Sequence, residues 1–242
     1  MYLDLLKKSI LDLIYGPIVA GNARNVGKIA TPEQISDGSF WPMLATSMIG
    51  QQRMDNIQEC FEDVIKNNIE GDVIETGVWR GGASIFMAGI NKFYNQNRKV
   101  YVADSFEGLP QPDATKYPKD AGDEHHKIQY LAVSLEQVKR NFAKYDLLDD
   151  NVIFIKGFFE DSLKKVNFDK LAILRLDGDM YSSTIQVLDE LYDKLVPGGY
   201  IIIDDYGVHI PCKTAVSDFR QKHNITTEIK MIDKYGAYWK KE

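Results

Sequence analysis

The sequence contains little cysteine and no long hydrophobic run. Its two cysteines, Cys60 and Cys212, lie in helical patterns without the spacing of metal ligands. This excludes a disulfide-stapled or zinc-cluster scaffold and predicts reduced thiols in the core of a cytoplasmic protein. No apolar stretch approaches the length of a membrane span, and the N-terminus lacks the apolar segment and cleavage site of a signal peptide. We therefore expect no membrane partner.

Clustered positive charge is also missing. The net charge is −6, and lysines and arginines are scattered along the chain, which argues against a nucleic-acid partner. The sequence shows no internal repeat, low-complexity tract or interdomain linker. The length of 242 residues and the 44% hydrophobic content suit one globular α/β unit with a sizeable core.

Residues 171–207 predict a strand, a helix and a second strand in succession. Residues 171–176 form an apolar run that is typical of a strand buried on both faces. Apolar residues spaced three and four apart over 185–195 then predict a helix that begins near Ser182 and that the Pro-Gly-Gly at 197–199 would end. Residues 200–203 form a second apolar strand, and a crossover of this kind makes the two strands parallel.

Both of these strands end in acidic residues. Asp177 and Asp179 follow the first strand, and Asp204 and Asp205 follow the second. If the strands are neighbours, four carboxylates meet at the edge of the sheet where open α/β folds bind ligands. A divalent cation would offset their repulsion, and oxygen-only ligands favour Mg²⁺ or Ca²⁺. Taken singly, Asp179 could instead cap the following helix, and Asp205 could be solvated in a loop.

The rest of the chain alternates helical and strand patterns. Helical spacing covers residues 1–15, 54–65, 83–90, 131–145 and 212–223, and strand patterns cover 72–76, 99–103, 152–155, 226–232 and 237–240. We therefore predict an α/β fold with a doubly wound, seven-stranded, mostly parallel sheet and one antiparallel strand at its edge. Two segments are irregular: an N-terminal arm (residues 16–46) and a charged stretch (residues 111–130) that we expect to form a lid.

The turn after the first strand has the composition of a cofactor-binding loop. Glycines in residues 75–82 (ETGVWRGG) would let the backbone approach a ligand closely. The spacing is not the G-x-G-x-x-G of dinucleotide-binding folds, so a merely tight turn is equally compatible. Asp104, at the end of the second strand, is placed to bind a ribose diol or to cap a helix. Phe158 could pack against a base or belong to the core.

Two adjacent histidines, His125 and His126, lie within the charged lid stretch. They invite interpretation as metal ligands, but adjacent histidines on a loop rarely share one ion. We interpret both as solvated.

Several of these stretches together resemble the macrocin O-methyltransferase family of antibiotic sugar methyltransferases. The similarity is carried by WPMLATSMIGQQRMDNIQ (41–58), ETGVWRGG (75–82), ADSFEGLP (103–110), LAVSLEQVKRNF (131–142), LRLDGDMYSST (174–184) and IIIDDYG (201–207). It extends from about Trp41 to the end of the chain. The resemblance implies a class I methyltransferase (Rossmann-like) fold that uses S-adenosylmethionine (SAM) and Mg²⁺ to methylate a sugar hydroxyl.

The resemblance also implies roles for individual residues. Asp177, Asp204 and Asp205 match the metal ligands of the family, and Asp179 matches the proposed general base. The implied cofactor-binding residues are Glu75, Thr76, Gly77, Val78, Trp79, Arg80, Gly81, Ser84, Asp104, Ser105, Phe158 and Asp177.

On this basis we divide the chain into an N-terminal helix and arm (1–45) and a methyltransferase domain (46–242). The long arm suggests a homo-oligomer in which it reaches a neighbouring subunit's crevice. The acceptor stays open among an antibiotic glycoside, a nucleotide sugar and a polysaccharide.

Two other functions fit part of the pattern. A metal-dependent O-methyltransferase of catechols or phenols shares the fold, but such enzymes use a lysine base and an amide metal ligand. Here Asp205 follows Asp204, and no lysine lies beside Asp177. A Rossmann nucleotide-binding protein without methyl transfer is the second alternative, and the missing G-x-G-x-x-G argues against it.

Overall fold

The structure is a computed structural model that describes residues 1–21 and 27–242. Its helices are α1 (Tyr2–Ile10), α2 (Pro32–Asp37), α3 (Gly50–Lys66), α4 (Gly82–Phe93), α5 (Leu135–Lys144), α6 (Phe159–Ser162), α7 (Tyr181–Leu191) and α8 (Ile210–Lys222). Its strands are β1 (Asp72–Thr76), β2 (Val100–Asp104), β3 (Val152–Lys156), β4 (Leu171–Leu176), β5 (Leu195–Ile203), β6 (Lys230–Met231) and β7 (Ala237–Lys240).

The seven strands form one sheet in the order β3-β2-β1-β4-β5-β7-β6. Strands β1 to β5 are parallel, and β7 runs antiparallel to both β5 and β6. The predicted seven-stranded, mostly parallel sheet with one antiparallel strand is therefore confirmed. The expected position of that strand was wrong, because the two-residue β6 covers β7 and forms the edge.

Strand β5 begins at Leu195, five residues earlier than predicted. Pro197 and Gly198 lie inside the strand, and its register with β4 shifts there: Leu171 is opposite Leu195, whereas Ile173 is opposite Tyr200. This bulge accommodates a proline without an N–H and a glycine at φ +85°. The Pro-Gly-Gly sequence therefore forms part of the strand and does not end a helix.

Helix α7 begins at Tyr181, within one residue of the predicted start near Ser182. The backbone N–H groups of Tyr181 and Ser182 donate to the two carboxylate oxygens of Asp120, at 2.7 and 2.9 Å. A lid residue therefore caps this helix, and Asp179 does not.

Apolar side chains pack against both faces of the sheet. Helices α1, α3, α4 and α5 cover one face, and α7 and α8 cover the other. Leu6 of α1 packs so closely on α4 that a Cβ added to Gly89 would lie 2.2 Å from its Cδ2 atom. The N-terminal helix is thus part of the main core, while the domain boundary after residue 45 stays a prediction.

Both cysteines are free and buried. Within residues 1–21 and 27–242, none of the helices has the length and apolar character that a membrane crossing requires.

Candidate active site

A crevice opens at the carboxyl ends of β1, β2, β4 and β5. It lies where the strand order reverses between β1 and β4, which is the usual ligand site of an open α/β sheet. Residues that follow each of these strands line it, together with Trp41 from the arm and His125 from the lid.

Three carboxylates meet at the floor of the crevice. One oxygen each from Asp177, Asp204 and Asp205 lies within 4.8 Å of the other two, and we call these residues the acidic cluster. Asp204 and Asp205 are buried. The predicted approach of the two acidic strand ends is therefore present, because β4 and β5 are neighbours with matched register.

Asp179 lies beside this cluster. Its backbone N–H donates to Asp205 at 3.1 Å, so Asp205 is not a solvated loop residue. Asp179 itself has a left-handed backbone, with φ +56°, as do Trp79 and Phe106 in the loops after β1 and β2. Such conformations are costly for non-glycine residues and tend to occur at functional sites.

The carboxylates are crowded enough to shift their protonation. Burial, with Asp177 and Asp204 nearby, raises the pKa of Asp179 to about 8. Burial and the neighbouring acids also raise the pKa values of Asp177 and Asp205 well above the ordinary range. A divalent cation would favour the ionised forms, and a set of carboxylate oxygens suits Mg²⁺. The acidic cluster therefore fits the magnesium ion that the resemblance implies.

Two buried arginines partly balance this charge. Arg175 is fully buried and donates to Glu75, Asp177 and Asp204. Arg53 of α3 contacts the other oxygen of Asp204. Burial alone would lower the pKa of Arg175, but its acidic partners outweigh burial and raise it.

The predicted apolar run 171–176 thus contains a buried cation. A charged residue within an otherwise apolar strand was the available signal, since buried charges need partners.

The turn after β1 forms the other wall of the crevice. Gly77 has φ +85°, and a Cβ there would lie 1.7 Å from the carbonyl oxygen of Asp177, so only glycine fits. Beside it, Asp104 accepts the backbone N–H groups of Val78 and Phe106, each at 2.7 Å. Burial raises the pKa of Asp104, although these two hydrogen bonds oppose the shift. Asp104 does not cap a helix.

Glu75 points into the same wall. Burial raises its pKa to about 7, although Arg175 opposes the shift. Arg175 and Ser84 donate to different oxygens of Glu75, and Val78 and Phe106 donate to different oxygens of Asp104, which also accepts from the Ser105 hydroxyl at 3.4 Å. Since a carboxylate can accept about four hydrogen bonds, both residues retain free lone pairs. An ammonium group and ribose hydroxyls could use those lone pairs, so this wall fits the cofactor that the resemblance implies.

The structure brings together most of the implied cofactor residues, but not all. Those that line the crevice are Glu75, Gly77, Val78, Trp79, Asp104, Ser105, Phe158 and Asp177. Phe158 is 44% exposed, so it is a crevice residue and not part of the core.

The remaining four support the crevice from behind. Ser84 is buried and donates to Glu75, and Thr76 donates to the carbonyl of Arg175 at 3.3 Å. Arg80 donates to the carbonyls of Met43 and Ala45, both at 2.9 Å. Gly81 has φ +86° and packs against α5. Their roles in cofactor binding stay predictions.

The expected lid covers part of the crevice. Tyr130 stacks on Trp41 of the arm with ring centroids 5.4 Å apart, and its carbonyl accepts the indole N–H of Trp79 at 2.9 Å. The arm, the lid and the loop after β1 are thereby joined through three aromatic residues.

One lid histidine was misinterpreted. His125 lies in the crevice, where its ring meets that of His209 edge to face, with centroids 5.2 Å apart. Nε2 of His209 is 3.5 Å from the carboxylate of Asp179. Sequence reasoning missed both histidines because residues so far apart in the chain carry no shared spacing.

Known proteins that are similar to this chain are O-methyltransferases. The model of the macrocin-O-methyltransferase (TylF) family matches residues 1–241, including the N-terminal segment that the motifs above do not cover. A demethyldecarbamoylnovobiocin O-methyltransferase from Streptomyces niveus is 45% identical, and the match covers 100% of this chain and 93% of that protein.

Two further similarities are informative. The 8-demethyl-8-(2,3-dimethoxy-alpha-L-rhamnosyl)-tetracenomycin-C 4'-O-methyltransferase from Streptomyces olivaceus is 42% identical, over 99% of this chain and 92% of that protein. The solved structure of the O-methyltransferase NovP matches with a TM-score of 0.93 and 44% identity, covering 99% of this chain and 98% of that one. Since the family match spans nearly all 242 residues and the fold agrees, the chain belongs to the macrocin-O-methyltransferase family and is an O-methyltransferase.

Proposed function

We infer that this enzyme transfers the methyl group of SAM to a sugar hydroxyl, and that it depends on Mg²⁺. Asp177, Asp204 and Asp205 would hold the metal, and Asp179 would act as general base. The observation that carries this proposal is the acidic cluster itself: three carboxylates within 4.8 Å, with a fourth carboxylate at their side.

A sugar acceptor is supported by the relatives and by the crevice. One relative is named for methylating the 4'-oxygen of a rhamnosyl group. Among the described residues that line the crevice there is no lysine, which a phenol methyltransferase of the alternative type would use as base. The sugar could belong to an antibiotic glycoside, a nucleotide sugar or a polysaccharide.

Each residue has a separate task in this proposal. When bound, Mg²⁺ would lower the pKa of the acceptor hydroxyl, so that a carboxylate is a strong enough base. Asp179 accepts the hydroxyl proton while the oxygen bonds to the methyl carbon and the carbon–sulfur bond breaks. General-base assistance of this kind typically accounts for about 10²–10⁴ in rate.

The chain also positions the reactants and limits water. Glu75 and Asp104 would accept hydrogen bonds from the amino group and the ribose of the cofactor. Trp79 lines the crevice, and its indole N–H donates to the backbone carbonyl of Tyr130 in the lid at 2.9 Å. Alignment of oxygen, carbon and sulfur in a site closed to solvent is the main contribution a protein makes to such a displacement.

The test measures S-adenosylhomocysteine formation with a panel of glycosides that carry vicinal diols. EDTA should stop the reaction, and added Mg²⁺ should restore it. Asp177→Asn should abolish activity by weakening Mg²⁺ binding, while S-adenosylhomocysteine still binds. Asp179→Asn should lower kcat by about 10²–10⁴ with nearly unchanged Mg²⁺ affinity.

Four results would contradict the proposal. Methyl transfer that continues in EDTA would remove the metal requirement. Full turnover by Asp177→Asn would remove the ligand assignment, and weakened Mg²⁺ binding in Asp179→Asn would make Asp179 a ligand. Binding of NAD in place of S-adenosylhomocysteine would favour the Rossmann alternative.

A further inference from the structure

A second group of potential metal ligands lies beside the acidic cluster. His125, Asp179 and His209 each offer one ligand atom, and these atoms lie within 4.8 Å of one another. We call these residues the histidine cluster. They come from three separate segments: the lid, the loop after β4 and the loop after β5. All three side chains keep partial exposure, between 21% and 30%, so an ion from solvent can reach them.

One histidine is already held in the manner of a metal ligand. Nδ1 of His125 lies 2.7 Å from a carboxylate oxygen of Asp123. A carboxylate on one ring nitrogen fixes the orientation and tautomer of the ring, and it leaves the other nitrogen, Nε2, with a free lone pair. Histidines that bind metals are commonly supported in this way.

The second histidine already faces the other two members of the cluster. The imidazole of His209 meets that of His125 edge to face, with ring centroids 5.2 Å apart. Its Nε2 atom is already 3.5 Å from Asp179.

The donor set differs from that of the acidic cluster. Two imidazoles and one carboxylate suit Zn²⁺ or a similar first-row transition ion, whereas the oxygen-only set suits Mg²⁺. The two clusters therefore select different ions although they lie in one crevice.

We propose that His125, Asp179 and His209 form a second metal site, selective for Zn²⁺-like ions, which ties the lid to the crevice. Because the ion would occupy the carboxylate of Asp179, zinc should inhibit methyl transfer. This inhibition, but not the binding, rests on the proposed role of Asp179 as base.

Binding is tested with Co²⁺ as a spectroscopic probe, in excess Mg²⁺ to fill the acidic cluster. The wild type should give the visible absorption of a cobalt ion with imidazole ligands. His125→Ala and His209→Gln should lose it. His126→Ala is the matched control, since it removes the adjacent imidazole outside the cluster, and it should retain the band. Asp123→Asn should weaken Co²⁺ binding by about 10–100-fold.

Binding of S-adenosylhomocysteine by each variant separates loss of the site from loss of the fold. The proposal is overturned if His125→Ala binds Co²⁺ as tightly as the wild type. It is also overturned if Asp177→Asn loses the band while His125→Ala keeps it, because the ion would then occupy the acidic cluster.

Inhibition is tested by zinc titration in excess Mg²⁺, with each variant compared with its own zinc-free rate. The wild type should be inhibited, and His125→Ala should require about tenfold more zinc or more. If zinc binds through His125 and the rate does not fall, the metal site stands and the role of Asp179 as base is contradicted.

Discussion

At the end of β4, the guanidinium of Arg175 lies among Glu75, Asp177 and Asp204 with no exposed surface. Its neighbours belong to both walls of the crevice: Glu75 to the proposed cofactor side and the two aspartates to the acidic cluster. A buried ion pair adds little net stability, but removal of one partner leaves uncompensated charge. Arg175 therefore holds the crevice carboxylates in place before any ligand arrives.

This charge balance leads to a prediction for Arg175→Gln. Without Mg²⁺, we expect the free energy of unfolding to fall by about 3–5 kcal/mol, because the buried Glu75 and Asp204 and the partly exposed Asp177 lose their common cation. Saturating Mg²⁺ should recover part of the loss, since the ion binds the folded state. Urea unfolding with and without Mg²⁺ measures both values.

Arg98→Gln is the matched control. Arg98 is half-buried and donates to the backbone carbonyls of Ile69 and Gly71, away from the crevice. Arg98→Gln should lower the free energy of unfolding, and Mg²⁺ should stabilise this variant no more than it stabilises the wild type. If Mg²⁺ gave both variants the same benefit, Arg175 would have no special link to the acidic cluster.

At the scale of elements, the lid is joined to α7 through the buried Asp120 and through Tyr117, which contacts Tyr181 and Gln186 of α7. Asp120 is 1% exposed and accepts the first two free N–H groups of the helix. The lid is therefore anchored to an element that begins two residues after Asp179.

We predict that Asp120→Ala weakens both the helix start and the lid. The loss of a capping side chain should cost about 0.5–2 kcal/mol. Hydrogen exchange should accelerate in the lid (residues 111–130) and in the first turn of α7. Asp120→Asn should retain only part of the protection, because its amide has one acceptor oxygen for the two N–H groups.

Ser134→Ala provides the comparison. Ser134 caps α5 by accepting the N–H of Gln137 at 3.3 Å, without contact to α7. Its substitution should lower stability but leave exchange in the lid unchanged. Unchanged lid exchange in Asp120→Ala would show that other contacts hold the lid.

For the whole molecule, the raised pKa of Asp179, about 8 against an ordinary 3.8, makes stability depend on pH. Between these values the folded protein keeps a proton that the unfolded chain releases. The contribution of Asp179 to the free energy of unfolding is therefore fully present below about pH 4 and is lost as the pH rises to about 8. We expect the metal-free wild type to lose stability over this range relative to Asp179→Asn.

The pH slope of the free energy of unfolding should differ between wild type and Asp179→Asn by at most about 1.4 kcal/mol per pH unit. This is an upper limit because 21% of the Asp179 side chain is exposed. Urea unfolding in EDTA at several pH values measures the slope, and saturating Mg²⁺ should reduce it by favouring the ionised form. Equal pH dependence of wild type and variant would contradict the raised pKa.

Several properties of the whole molecule stay predictions. Assembly into a homo-oligomer, with the arm reaching another subunit, is inferred from the irregular sequence alone. The cytoplasmic location is inferred from composition. Sedimentation of the purified protein would test the first.

The sequence by itself determined the sheet class and most of the longer elements, and its resemblance to a known family indicated the reaction class. Apolar periodicity located β1, β4 and β7 to the residue, because buried strands need uninterrupted apolar faces. Acids at the ends of successive parallel strands predicted the acidic cluster, because such ends share one edge of the sheet.

Tertiary structure alone decided the partners of those acids. Arg53 lies 151 positions before its partner Asp204, and Arg175 lies 100 positions after its partner Glu75. His125 and His209 come from two further segments, and such long-range pairings have no local spacing to reveal them. The cap of α7 could not be predicted from the sequence for the same reason. The capping carboxylate belongs to Asp120, some 60 residues before the start of that helix.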